Sequence, residues 1–153
     1  MVNRRSHSGI IIYVNNVPNI WYSKQQNTVE ASSFGSDFFS LRISTEVIEA
    51  LRYKLRCFGI PVEGPVEVFC DTMSVFKNYS IPTSVLNKRH NEIYYHGVRG
   101  AQAVVILQVG WIPGDFNLAD LFTKTTMPVN TRHNLVDSIF SNTASPLGDI
   151  EKA

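Results

Sequence analysis

Gly64-Pro-Val-Glu-Val-Phe-Cys-Asp-Thr72 is the stretch on which the fold turns. Gly64-Pro65 breaks the chain, and Val66, Val68 and Cys70 then alternate with Glu67, Phe69 and Asp71, which predicts a strand ending at Asp71. Just upstream, Ser32 or Ser33 offers an N-cap for a long helix reaching about Phe58, closed by Gly59 and followed by Pro61. Phe34, Phe38, Leu41, Ile48, Leu51, Leu55 and Phe58 recur along it at spacings of three, four and seven, the signature of one buried stripe. Before that helix, the β-branched run at residues 9–14 and the run at 19–24 are separated by Asn15-Asn16 and Pro18, which predicts an antiparallel hairpin.

Downstream of Asp71 a short helix is predicted through Asn78, then a turn at Ile81-Pro82. A second helix carries Leu86, Ile93, Tyr94, Val98 and Ala101, weakened by Gly97 and Gly100. Residues 104–112 form an apolar run of the kind a buried strand shows, ended by Pro113-Gly114. Asn117 caps a helix starting Leu118-Ala-Asp-Leu-Phe122, and residues 135–140 are amphipathic. This order of strands and helices argues for an α/β domain with a mixed sheet. No internal repeat is visible.

Composition agrees. Of 153 residues, 44% are apolar and 18% charged, so the chain can bury a core and is not a disordered or low-complexity segment. Fourteen Lys and Arg against thirteen Asp and Glu leave a net charge of +1, too little for a whole-molecule field toward nucleic acid. Any such site must be a local patch. Cys57 and Cys70 sit in apolar stretches without ligand-like neighbours, which predicts buried free thiols rather than a disulfide or zinc site. The run at 9–14 is too short for a secretory segment, and nothing approaches the about 20 apolar residues that span a bilayer, so an intracellular, soluble chain without membrane contact is expected.

Three acids stand where apolar or terminal positions are expected. Asp37 lies three after Phe34 and four before Leu41, close to the buried stripe; Asp71 ends an apolar strand, the edge where α/β sheets gather ligands; Asp120 lies in the first turn of the helix that follows the last strand. Each has an ordinary explanation, since carboxylates favour helix N-termini and turns. Taken together they predict a site, because converging carboxylates are not all ionised cheaply without a hard cation such as Mg²⁺ or Mn²⁺.

Thr28-Val-Glu-Ala-Ser-Ser-Phe-Gly-Ser-Asp-Phe-Phe-Ser-Leu41, Val68-Phe-Cys-Asp-Thr72, Lys88-Arg-His-Asn-Glu-Ile-Tyr-Tyr-His96 and Asn117-Leu-Ala-Asp-Leu-Phe-Thr-Lys124 occur here in one order. That ordered set resembles the ribonuclease H domains of copia-type retrotransposon Pol polyproteins, as do Arg4-Arg-Ser-His-Ser-Gly9 and Trp21-Tyr-Ser-Lys-Gln25. The likeness covers residues 4 to about 125. It implies a ribonuclease H-like fold, a five-stranded mixed sheet flanked by helices, over 1–125, with a C-terminal helix and frayed tail over 126–153. It also implies cleavage of the RNA strand of RNA–DNA hybrids during reverse transcription, with four carboxylates holding two Mg²⁺ or Mn²⁺ ions. The second, third and fourth acids of that set fall on Asp37, Asp71 and Asp120.

Two departures accompany the resemblance. The family usually carries Glu where this chain has Asp37, a side chain one methylene shorter. The family's first acid lies on a strand upstream of Arg4, in the middle of the sheet, so the resemblance implies a chain lacking that strand, with little turnover alone and an edge at residues 10–13 open to self-association. The rival expectation is a degenerate, non-catalytic fragment keeping the fold and weak nucleic-acid contact. Lys24, Lys88, Arg89 and Arg99 are the candidate phosphate contacts, and Gln25-Gln26-Asn27 a further stretch along the hybrid's backbone. His90 and His96 are read as packed or surface residues, and Trp21 and Tyr22 as core. The implied partners are the hybrid and the reverse transcriptase segment preceding it in the polyprotein, and the implied location is the cytoplasm or a virus-like particle.

Overall fold

The computed structural model of the protein describes residues 5–27, 29, 32–81 and 92–140. It is a mixed α/β arrangement of small sheets flanked by helices, consistent with a ribonuclease H-like fold. The elements run β1 (His7–Val14), β2 (Val17–Gln25), α1 (Ser33–Cys57), β3 (Val66–Cys70), α2 (Met73–Ser80), α3 (Glu92–Ala103), β4 (Leu107–Trp111) and α4 (Val129–Phe140), with two 3-10 turns, Gly114–Phe116 and Leu118–Phe122, before α4. Among the described residues the strands form two ladders of two: β1 with β2, antiparallel, and β3 with β4, parallel. The single five-stranded sheet of the resemblance is not seen among them.

The hairpin forms as expected, with Asn15 and Asn16 both in the left-handed region (φ 51 and 63), which Asn tolerates better than most residues. Its alternation decides which face is buried. Ile10 opposite Tyr22 and Ile12 opposite Ile20 point toward α1, while Ile11 opposite Trp21 points away. Trp21 is therefore 67% exposed, contrary to its reading as core, and Tyr22, one residue on, packs inward.

α1 begins where predicted, with the Ser32 hydroxyl accepting from Gly35 N–H at 3.4 Å. It ends in a Schellman motif. Gly59 N–H donates to Arg56 O and Ile60 N–H to Leu55 O, with Gly59 at φ +74. The stripe is buried at Phe38, Leu41 and Ile48 and fades toward the end: Phe58, the C-cap, is 79% exposed, and Cys57 is exposed rather than buried. Cys70 is half-buried and free, its thiol pushed up to about 12 first by desolvation and then by Asp71.

Two core clusters share this helix. Phe38 and Leu41 pack with Val75, Phe76, Tyr79, Tyr95, Val98, Leu107 and Val109; Ile48 packs with Ile10 and Ile12. Phe38, Tyr79 and Tyr95 stack with centroids 5.0 to 6.1 Å apart, joining α1, α2 and α3 through their rings. Gln26, expected along a nucleic-acid backbone, is buried instead. Its amide donates to Ser8 Oγ and Ser36 O, clamping the end of the hairpin to α1. At the other end of α1, buried Arg52 donates to Gly64 O at 2.8 Å and so fixes the approach to β3.

The strand predicted over 104–112 starts later. Val104 and Val105 are exposed and belong to a Schellman ending of α3, in which Val105 N–H donates to Gln102 O and Ile106 N–H to Ala101 O. This puts Val105, a β-branched residue, at φ +58. Left-handed backbone costs such a residue about 1–2 kcal/mol. Glycine, with its own entropic penalty of about 0.5–1 kcal/mol, still comes out ahead at such a position. Val105→Gly is therefore expected to raise the thermal midpoint by roughly 2–4 °C, read in a reversible melt followed by circular dichroism.

Candidate functional site

Each of the three acids is delivered by a different element. Asp37 lies in the second turn of α1 and is half-buried. Asp71 follows the last residue of β3, where Trp111 Nε1–H donates to its carbonyl at 3.1 Å and Ile112 N–H donates to Cys70 O, so β4 holds the strand end in place. Asp120 is buried in the turn Leu118–Phe122. That segment is a 3-10 turn rather than the predicted helix, as suits five residues too few to repay α-helix nucleation. Asn117 caps it as expected, its Oδ1 accepting from Ala119 N–H, and it does something further: its Nδ2 donates to Asp71 Oδ2 at 3.1 Å. One side chain thus ties the Asp120 turn to the end of β3.

The other carboxylates are also engaged. Thr72 Oγ1 donates to Asp37 Oδ2 at 2.5 Å, and Lys124 Nζ stands 2.5 Å from Asp120 Oδ2, one helical turn on. Burial holds the Asp37 carboxyl above the ordinary carboxylate value; the Thr72 bond lowers it in part, and the charges of Asp71 and Asp120 raise it further. All three acids therefore share one electrostatic neighbourhood. The Lys124 ammonium is held above its ordinary value, first by its bond to Asp120, and it also feels Asp71 and Asp115.

Among the described residues no three His, Cys, Asp or Glu side chains are grouped tightly enough to hold a metal ion. The chemistry of the donor set nevertheless suits a hard divalent cation: all the donors are carboxylate oxygens, they repel one another, and one is partly desolvated. In this arrangement their oxygens face Thr72, Asn117 and Lys124.

Gly9 of β1 was legible only as the start of a strand, yet it sets how close the Asp120 turn comes. A Cβ there would lie 2.6 Å from Ala119 O and 2.7 Å from Thr123 Cγ2, and the neighbouring Ser23 hydroxyl donates to Phe122 O at 2.7 Å. The turn rests on the hairpin because residue 9 has no side chain. The basic candidates are scattered. Lys24 is exposed near the end of β2, Arg99 donates to Tyr95 Oη with its guanidinium 5.0 Å over that ring, and Lys88 and Arg89 lie outside the described residues, as does His90. His96 is exposed, its ring edge-on to Tyr95.

Two outcomes follow. Because folding raises the Asp37 pKa above the ordinary value near 3.8, the folded state loses stability as pH climbs through the raised value and bears no such penalty below 3.8. Asp37→Asn, which keeps an acceptor for Thr72, should melt higher than the parent at pH 7, the difference closing as pH approaches 3.5 in a series of melts. Gly9→Ala must push the Asp120 turn off β1 and should cost about 1–3 kcal/mol in a urea titration, the range for overpacking.

Compared with known proteins, the chain is 27% identical over 143 residues, 94% of its length, to the retrovirus-related Pol polyprotein from transposon RE1 of Arabidopsis thaliana. To the corresponding polyprotein from transposon RE2 of the same plant it is 26% identical over 119 residues, 78% of its length. It spans 9% and 8% of those two proteins. No family model matches the chain, and no solved structure does. Among the described residues no helix is long and apolar enough to cross a membrane. The chain is thus similar, over nearly all its length, to one short segment of retrotransposon Pol polyproteins.

Proposed function

We propose that the chain is the ribonuclease H segment of a retrotransposon Pol polyprotein, acting on the RNA strand of RNA–DNA hybrids, with Asp37, Asp71 and Asp120 as its acidic site. The observation that carries the reading is the set of hydrogen bonds that links the elements bearing the three acids: Thr72, beside Asp71, donates to Asp37, and Asn117 donates to Asp71 while capping the turn that holds Asp120. The similarity to Pol polyproteins supports the context. In this reading the three carboxylates would hold divalent cations, Mg²⁺ or Mn²⁺, which when bound activate a water and stabilise the leaving oxygen. The protein's own contribution is positional: Trp111 fixes the backbone of Asp71, Asn117 holds Asp71 and the Asp120 turn in register, and Thr72 orients Asp37. The reverse transcriptase segment of the same polyprotein would be its neighbour.

One observation favours a second reading, a segment that keeps the fold and binds nucleic acid without turnover. Lys124 neutralises Asp120 directly, and a cation would have to displace that ammonium. A single experiment separates the two. The purified chain is incubated with a hybrid labelled on either strand, in Mg²⁺ and in Mn²⁺. The first reading expects slow cleavage of the RNA strand only, reduced on the order of a hundredfold or more in Asp71→Asn. Hybrid binding with no product supports the second. Cleavage of both strands, or cleavage indifferent to Asp71→Asn, rules out the proposed site.

A further inference from the structure

A surface cavity of about 450 Å³ lies between the Asp120 turn and the start of α4, and its polar side is made by Lys124, Thr125, Thr126 and Arg132, with Met127 among its apolar lining. Among the described residues no carboxylate lines it. Arg132 is exposed, and its guanidinium makes no ion pair or side-chain hydrogen bond among the described residues. Two cationic and two hydroxyl-bearing residues around a cavity wider than a single water, with no anion among the described residues to answer Arg132, describe a place for a tetrahedral oxyanion. Lys124 belongs to both neighbourhoods: it lines the cavity, and its ammonium rests on Asp120.

We propose that this cavity is a subsite for a backbone phosphate of a polynucleotide strand, with Arg132 as its fixed cation, Thr125 and Thr126 as hydroxyl donors, and Lys124 as a cation shared between that phosphate and Asp120. The inference rests on the hybrid-binding reading and extends it to residues outside the acidic site. A polynucleotide is favoured over a free phosphate because the cavity is open at the surface beside Asp120, so a strand can pass over it toward the acids while one phosphate occupies it. A phosphate there would draw Lys124 away from Asp120 and return that carboxylate's charge to the site. Nucleic-acid binding and the readiness of the acids for a cation are then coupled through one side chain.

The test is binding of a fluorescent RNA–DNA hybrid by the full 153-residue chain in EDTA, followed by anisotropy over a salt series. Arg132→Gln is the informative variant, since changing Lys124 would also unpair Asp120. It should weaken binding on the order of threefold and lower the slope of log K against log salt by about one phosphate contact, 0.7 to 0.9. Arg132→Lys should restore the slope, and Arg56→Gln, a charge removed from the last turn of α1, should leave it unchanged. Circular dichroism melts of each variant confirm that it is folded. An unchanged slope in Arg132→Gln overturns the proposal, as does an equal fall in Arg56→Gln, which would reduce the effect to net charge. Inorganic phosphate, titrated at constant ionic strength as a competitor, separates the two sources. If Arg132→Gln alters phosphate-ion competition but not hybrid affinity in its absence, the cavity takes free phosphate and the polynucleotide assignment falls. Because no divalent ion is present, the result stands apart from cleavage: a chain that cuts nothing can still satisfy it, and a chain that cuts hybrid can still refute it.

Discussion

Burial of Phe38, Leu41 and Ile48 along one face of α1 is what makes two separate ladders into one molecule. Two-stranded sheets are at best marginal on their own, and here each is stabilised by packing against that helix. Ile48 meets the hairpin through Ile10 and Ile12, whereas Phe38 and Leu41 meet the β3–β4 ladder through Leu107 and Val109. Polar bonds fix the helix at both ends: Gln26 to Ser36 near its start, Arg52 to Gly64 near its finish. An apolar stripe alone tolerates rotation and sliding, and such directional bonds remove that freedom. The placement of Asp37 depends on this, since it sits one residue from both Ser36 and Phe38.

The acidic neighbourhood is the place where the structure opposes itself. Three carboxylates near one another repel, and partial burial of Asp37 adds a desolvation cost. What offsets this is a set of donors contributed by residues adjacent in sequence to the acids themselves: Thr72 beside Asp71, Asn117 three before Asp120, Lys124 four after it. Each reaches across or back to a carboxylate. The cluster is therefore built from short local segments, and the long-range work is done by the ladder between β3 and β4 and by the approach of the Asp120 turn to Gly9.

Much of this was legible in the sequence, for physical reasons that differ by element. α1 was readable because a long apolar periodicity, a Ser cap and a glycine stop all agree on one helix. β3 was readable because its alternation ends at an Asp between two chain breakers and a helix. Trp21 was misread because hydrophobicity alone does not say which face of a hairpin is buried; the register does, and it places Trp21 with Ile11 on the outside. Val104 and Val105 were misread as strand because apolar β-branched residues also occur in an exposed helix ending, here at an unusual cost. Asp37, Asp71 and Asp120 were found as residues out of place, but Gly9, Thr72 and Lys124 carried no signal of their own. A glycine that opens a strand looks the same whether or not another backbone must approach it. The Arg132 cavity was invisible too, because it depends on where α4 starts relative to the Asp120 turn.

Lys124 shows how such a site can be stable without a ligand and still answer to one. Its ion pair with Asp120 joins a side chain that is more than half exposed to a carboxylate that is nearly buried, so Lys124 can turn to another anion more readily than Asp120 can find another cation. The pair also sets the field at Asp37 and Asp71, because one positive charge stands among three negative ones. Moving that charge a few ångströms, toward an anion on its other side, changes the potential at all three acids at once. A side chain placed between an acidic cluster and a cationic cavity is suited to that exchange by length and flexibility, whereas an arginine, bonding its carboxylate in a two-point fork, would be held more firmly on one side.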